Sequence, residues 1–469
     1  MIVATANYLA ADAKLTKRPI FVITIADYTR AFSNFPGVTG VGATVVDWLI
    51  AIEDLQVTVN DLDGGTDLAD LVFTVQDRGG AITADFPLFT FEGKLVTLYG
   101  GYLGMSFADF VVHFTGKIDS VESSDNNLCY TFSCPDIRND LNRSIYTVGD
   151  DGGATSSKHV RTLNGHPLDI LLNALEVECG LDPLQVDEAK ITTYRDTIYS
   201  GSQMSFTLDA APIAKEFIEQ ELMKPLGAYL RTDNLGKVTV EFAYPLSPAV
   251  VMDFTPANLL DIPAAGQTDL INQVITRLDA TSGEGSSSSG FAAERVSQDQ
   301  ASITKYGMYG QQIIESKGLR SGLNGLFVAH MTAFLIFARY ANKSLCHGDN
   351  GKNQSSDPIN ALWNAALVEP GDFVTLTHPQ VPDRVAGVMG VTAKQYVVMD
   401  KNLQFPIGGS AGTVQLKLLE ASTLAFKQFK IAPNGEASYP SAGADQGVFM
   451  FLCNDSDQYS TGAAGNTLS

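Results

Sequence analysis

The chain has 469 residues, 45% of them hydrophobic and 18% charged, and a formal charge of −21 from 31 basic and 52 acidic side chains. That length exceeds one compact core and predicts about two to four domains, while the acid excess excludes a protein that grips nucleic-acid phosphate, which needs Lys and Arg. Plentiful glycine, 42 residues, among short alternating apolar runs predicts a mainly β chain with many turns.

The N-terminal stretch MIVATANYLAADAKLTKRP has neither a basic start nor a sustained apolar core, so no secretory signal is expected. The stretches Arg18–Tyr28, Asp54–Asp61, Asp70–Asp77, Lys94–Leu103, Ala108–Ser123 and Leu128–Asp136 alternate or run apolar between Gly, Asp and Asn turns, and predict strands. One closed or nearly closed antiparallel sheet would bury them and remove their edges, giving a β domain over residues 1–155. The texture changes after the loop Gly149–His159. Pro167 stands at a helix start, Leu168, Leu171, Leu172 and Leu175 recur at helical spacing, and Gly180 stops the run. A second helix places Ile213, Phe217, Ile218 and Leu222 on one face and is expected to break at Pro225, before a hairpin that turns at Asp233–Gly236. These elements make a small α/β domain over 156–245.

Residues 246–430 return to strands, first Asp269–Ala280 and then the runs between Asp372 and Ala421, and are expected to form a second β domain. Within it, 283–345 is expected as an inserted loop and helix. Gly283–Phe291 is too rich in Gly and Ser to bury apolar area, Ser302–Gly307 reads as a β edge turning at Tyr306–Gly307, and Gly325–Ala341 reads as an amphipathic helix. The strand Asp372–His378 is entered through a Pro370–Gly371–Asp372 turn. Residues 431–469 contain no Lys or Arg and are expected as a C-terminal arm that packs on a neighbour or lies extended. The apolar run Leu326–Ala338 is too short for a bilayer and carries His330, so a soluble protein without membrane insertion is expected.

Reactive constellations are missing. Ser302 and Lys305 fit an S-x-x-K pattern in which a basic neighbour would activate the serine, but no K-T-G occurs and Ser302 falls in a segment read as β. No G-x-S-x-G, Walker phosphate loop or H-E-x-x-H is present. Asp61, Asp63 and Asp67 around Gly64–Gly65 hint at a calcium loop but misplace its turn glycine and its bidentate Glu. Cys346–His347 has no partner cluster for zinc, and His378 is expected to be structural. Cys129, Cys134, Cys179, Cys346 and Cys453 are odd in number and scattered, which predicts reduced thiols; Cys129 and Cys134, five apart on one strand, would fall on opposite faces. No catalytic residue, metal or cofactor is expected.

In order and spacing, Ser302-x-x-Lys305-Tyr306-Gly307, the helix after it, and Gly371-Asp372-x-Val374 leading to Thr377-His378 resemble the central hub proteins of bacteriophage tails. The run Phe114–Asp136 is similar to the tube-type β domain of tail-tube, distal-tail and hub proteins, and the helices and hairpin of residues 158–242 to the inserted domain of hubs. The resemblance implies two tail-tube-like antiparallel β barrels or sandwiches plus a small α+β domain, and a structural, non-enzymatic role. It also implies that Ser302, Lys305, Tyr306, Gly307, Gly371, Asp372, Val374 and His378 are structural positions. A homotrimer would present six β domains and so join a sixfold tail tube to a threefold tip around the DNA exit channel. The implied partners are a tail-tube or distal-tail ring, a central spike or fibre and the tape-measure protein, with DNA only in passage. The implied location is the tail tip of a virion assembled in the bacterial cytoplasm. The acid excess then has two readings, solubility or a channel wall that DNA slides past. The alternatives are a tail-tip cell-wall hydrolase, which needs paired acids or a metal, and a receptor-binding tail protein, expected to show repeats or a coiled coil.

Overall fold

The computed structural model describes residues 2–421, apart from 15–17, 61, 125–127, 154–159, 198, 243–248, 262–265, 282–289, 343–344, 348–357, 384–385 and 408–411, and also 430–431 and 449–450. The Gly- and Ser-rich loop after Gly283 and almost all of the C-terminal arm lie outside the described residues. The fold is mainly β with small helical insertions, as the alternating runs predict.

The first β unit contains β1 (Pro19–Ile25), β2 (Arg30–Ser33), β3 (Thr44–Val46), β4 (Leu49–Ile52), β5 (Leu55–Asn60), β6 (Gly65–Thr66), β7 (Asp70–Gln76), β8 (Leu95–Tyr102), β9 (Val111–Lys117), β10 (Ser120–Ser124) and β11 (Cys129–Pro135). Most of them pair as two sheets, β3-β2-β1-β8-β9 and β10-β11-β7-β4, rather than as one closed sheet. The run expected as a single strand leaves β9 at Lys117 and enters β10 at Ser120, so it passes from one sheet to the other, and a bridge between Gly116 and Asp136 joins the sheets there. Alternation decides what is inside. In β7 the buried residues are Leu71, Phe73 and Val75, and Phe73 stacks on Phe132 of β11 with ring centres 4.8 Å apart. β1 is apolar on both faces because Ile20 and Val22 are covered in turn by Phe35, Val38, Val41 and Phe110.

The α/β unit holds β12 (Arg161–Gly165), β13 (Met204–Leu208) and the hairpin of β14 (Ala228–Thr232) and β15 (Val238–Phe242). The helix starting at Pro167 is capped by His166, whose Nδ1 accepts from Leu168 N at 3.1 Å, and it becomes π-helical over Asn173–Glu178. The second helix does not break at Pro225. It runs as Ala214–Glu216, a π-helical Phe217–Met223 and Lys224–Leu226, and ends at Gly227 in left-handed backbone. The π turns widen the helix ahead of the proline ring. The carbonyl that the missing proline N–H would have met in an α-helix, that of Glu221, accepts instead from Ser316 Oγ at 3.2 Å.

Beyond it come β16 (Val250–Phe254), β17 (Gly266–Gln267), β18 (Gln273–Ala280), β19 (Phe291–Gln298), β20 (Gln311–Glu315), β21 (Leu345–His347), β22 (Ile359–Leu362), β23 (Phe373–Asp383), β24 (Val388–Gln404) and β25 (Thr413–Glu420). β19-β18-β20 is a separate small sheet, and Leu278, Leu319 and Val328 from this stretch pack into the core of the α/β unit. The helix Gly325–Tyr340 docks there too, with Thr332 Oγ1 donating to the Pro225 carbonyl. Ser302–Gly307, read from sequence as a β edge, is instead the helix Gln300–Tyr306 and its end. Asp299 caps the start by accepting from Ser302 N at 2.8 Å, and Gly307 closes the helix in left-handed backbone. The β-branched Ile303 and Thr304 suggest a strand, but the two caps outweigh that preference.

The last β unit is a nine-stranded sheet, β16-β23-β24-β25-β21-β17, with β22 on β25, β5 on β24 and β6 on β5. β5 departs from chain order: Leu55, Gln56, Val57 and Thr58 pair with Leu403, Asn402, Lys401 and Asp400. One apolar core therefore runs through the first and last β units. Phe21 of β1 meets Trp363 and Phe405 edge-on, at ring distances of 5.6 and 5.3 Å. Burying each such ring stabilises by about 1.5–3 kcal/mol, enough to hold the two units in fixed relation. Among the described residues no helix is long and apolar enough to cross a membrane.

Candidate functional site

The α/β unit meets both β units around a cluster of buried charges. Arg138 follows β11 on a short turn, Ile137–Leu141, whose cap Asp136 accepts from Arg138 N at 2.8 Å. Its guanidinium is 2% exposed and spends its fork on three segments. It donates to Asp136 Oδ2 at 2.6 Å, to the carbonyls of Thr66 at 3.0 Å and Asp67 at 2.8 Å, and to Leu230 O of β14 at 3.3 Å. A planar cation with five donors suits this three-way junction better than a lysine would.

The second part of the cluster surrounds the turn before β23. Arg231 of β14 faces Glu241 at 3.2 Å and Glu369 at 3.7 Å. Burial would lower the affinity of Arg231 for its proton, yet Glu369 and Glu241 raise it above the ordinary arginine value. Burial likewise opposes ionisation of Glu369, but Arg231 and Lys401 hold its carboxyl below the usual range. Lys401 of β24 donates to Ala366 O at 2.6 Å; burial pulls its pKa down to about 8, with Glu369 opposing. His113 of β9 is held at about 3 by burial and by Lys401, again with Glu369 opposing. Its ring packs near Phe21 and Trp363, at centroid distances of 6.5 and 5.9 Å. A cavity of about 40 Å³ lies among these residues, well below the roughly 300–1,000 Å³ of a typical ligand pocket.

The turn itself explains two of the motif residues. Asp372 Oδ2 accepts from Glu369 N at 2.8 Å, and Asp372 N donates back to Glu369 O at 3.0 Å. Gly371 has φ +91°, and a Cβ there would lie 2.5 Å from the Tyr229 hydroxyl of β14. Gly371→Ala is expected to destabilise the chain by about 1–3 kcal/mol from backbone strain alone, and by more from the contact. Combining it with Tyr229→Phe should recover the contact part only, as read by urea denaturation. A Gly371→Ala protein as stable as the parent would refute this account of the turn.

The remaining motif residues occupy other settings. Val374 is fully buried opposite Tyr396, and His378 is 5% exposed with Nδ1 accepting from Gln380 N at 3.2 Å. Ser302 is 4% exposed, accepts from Asn272 Nδ2 at 3.1 Å and donates to Ala341 O at 2.5 Å, so its hydroxyl ties three segments together. Lys305 Nζ donates to Asn342 Oδ1 at 3.2 Å and lies 5.0 Å from the ring centre of Tyr306. The Ser302 hydroxyl and the Lys305 ammonium thus bond to Ala341 O and Asn342 Oδ1 respectively. Asp63 of the supposed calcium loop pairs with Lys224 at 3.1 Å, and Asp61 lies outside the described residues. Among the described residues no group of three His, Cys, Asp or Glu could hold a metal ion. Cys129, Cys134, Cys179 and Cys346 are all buried, and burial pushes the Cys179 thiol up to about 11. Cys129 and Cys134, five apart on β11, are both interior.

Of the junction residues, the sequence places His113 and Thr115 in the strand read over Ala108–Ser123, Asp136 at the end of a strand run, and Asp233, Asn234 and Pro370 in turns, with a functional role assigned to none of them. His113 stands two residues from the buried Val111 on an alternating strand, a signal of an inward side chain. Arg138 and Lys401 carry no such signal.

No protein-family model and no curated protein matches the chain. Among solved structures, it is similar to the 43 kDa tail protein of prophage MuSo2 from Shewanella oneidensis, with 13% identity, a TM-score of 0.43, and 86% of this chain and 98% of that one covered. The chain is similar to tail proteins of phages. A tail protein from Neisseria meningitidis MC58 matches at 10% identity and TM-score 0.42, over 86% of this chain and 96% of that one. An E. coli component of the type VI secretion system, itself described as structurally similar to T4 bacteriophage tail proteins, matches at 10% identity and TM-score 0.41, over 86% and 77%.

Proposed function

We propose that this chain is a structural hub protein of a phage or phage-like tail, three copies of which form a ring that joins a sixfold tube to a threefold tip. The observation that carries this reading is the shared core of the first and last β units, in which Phe21 packs on Trp363 and Phe405. It gives each subunit two β units in a fixed relation, which is what a ring of three needs in order to offer six mating positions. The motif residues support it by their roles, which are turns, caps and packing rather than chemistry. Tail-tube, spike and tape-measure proteins are the partners this role would require, and the tail tip is its place.

Sedimentation of the purified protein at high concentration, or of assembled tails, should give a threefold mass. A stable dimer, or a six-membered ring of this chain alone, would overturn the proposal. Ser302→Ala and His378→Ala should leave any cell-wall degradation by the particle unchanged, whereas selective loss of hydrolysis with normal assembly would favour the hydrolase alternative. The charge of −21 per subunit fits a ring whose inner wall repels DNA, since a duplex within a Debye length of about 8 Å feels that field. A neutral or basic inner wall in the assembled ring would leave solubility as the sufficient cause.

A further inference from the structure

We infer that the cavity at the junction is a hydration site, in which ordered water links the imidazole of His113 to the charged groups facing it, and that this hydrated junction is where acid loosens the α/β unit from the β units. A neutral imidazole has one N–H to donate and one nitrogen to accept. Both ring nitrogens of His113 are buried, and neither meets a hydrogen-bond partner on the protein. Such groups are satisfied by water wherever space and polar neighbours allow. The space is about 40 Å³, room for on the order of three water molecules. The neighbours are Thr115, Arg231, Asn234, Glu369 and Lys401, which line the same cavity and supply both donors and acceptors. An apolar lining would leave such a cavity dry; this one has hydrogen-bonding groups on three walls.

The acid response follows from the charged groups that line the cavity together with His113, whose Nε2 side packs over Gly100 of β8. Lys401 comes from β24, Glu369 from the turn before β23, Arg231 and Asp233 from the hairpin, and Asp136 and Arg138 from the turn after β11. Protonating His113 adds a buried cation near Lys401, in a cavity that Arg231 and Arg138 also line and where Glu369 is the opposing charge. The sign is fixed by the shift: the imidazole titrates near its ordinary value in the unfolded chain and at about 3 when folded. The unfolded state therefore binds the extra proton first as pH falls below about 6.5. Stability is fully present above that pH and is lost on descending towards 3, by up to about tenfold in the folding constant per pH unit.

The test pairs a high-resolution structure with an unfolding profile. Density for water within hydrogen-bonding distance of a His113 ring nitrogen is expected; a dry cavity would overturn the proposal. A bromide soak should leave no anomalous peak there, and a peak would make it an anion site instead, also overturning it. Between pH 6.5 and 4.5 the unfolding midpoint of the parent should fall, and that of His113→Gln, which keeps a donor and an acceptor but does not titrate, should fall by less than half as much. His113→Phe serves as a second variant that needs no water, and its midpoint should fall as little as that of His113→Gln. Equal acid slopes in the parent and in whichever variant folds would refute the role of His113.

Discussion

Replacing Arg138 by alanine is expected to lower the free energy of unfolding by about 3–5 kcal/mol, the usual consequence of leaving one charge of a buried pair without its partner. Asp136 keeps bonds from Ala69 N at 3.0 Å and Arg138 N at 2.8 Å. It loses the guanidinium, the carbonyls of Thr66 and Asp67 lose the N–H groups it donates, and Leu230 O, which also accepts from Thr66 Oγ1 at 3.0 Å, loses one of its donors. Because those carbonyls belong to the first β unit and the hairpin, the damage should be read at their junction. Hydrogen exchange should rise in β14 and around Thr66 before it rises in β1 or β8. Denaturation in urea gives the magnitude, and a loss below about 1 kcal/mol would mean that the network is redundant.

A comparable loss is expected from Gly64→Ala, roughly 2–5 kcal/mol from left-handed strain and overpacking together. Gly64 has φ +78°, and a Cβ on it would strike the Glu219 carbonyl and come within 2.6 Å of Lys224 N, both of them backbone of the π-containing helix. Backbone in a helix cannot step aside, so the turn and the helix must part. Gly65→Ala is the built-in control. The three atoms nearest its Cβ all belong to the end of the Glu219 side chain, at 2.6–2.9 Å, and that flexible end can swing away where helix backbone cannot. Equal losses for the two variants would show that the helix backbone is not what confines this turn.

Much of this architecture is legible in the sequence because it depends on local periodicity. The alternation of Leu71, Phe73 and Val75 in β7 requires a half-buried strand wherever the strand ends up, and Pro167 and Gly180 bracket a helix by their own backbone constraints. Partnership is not local. The alternation in Leu55–Asn60 is the same whether its neighbour is β7 or β24, so nothing in that run says that Asp400 will accept from Gln56 and Thr58. The junction was hidden for the same reason. Arg138 and Lys401 look like surface charges until three chain segments close over them, and only His113 sits in a register that marks it as interior. Where local signals conflicted, as at Ser302–Gly307, the capping residues were the better guide than the β-branched ones.

The pairing of β5 with β24 also sets a timetable for the ribosome. Gln56 waits for Asp400, which lies 344 residues later in the chain. At about 5–20 residues per second, that is roughly 20 to 70 seconds during which Leu55–Asn60 has emerged without its final neighbour. An open strand of this kind invites pairing with other nascent chains. Polysomes translating this message therefore run a risk that slower initiation, lower temperature or a chaperone bound near the exit tunnel would reduce, and products that terminate before residue 400 should be insoluble even though the first 136 residues contain two sheets of their own.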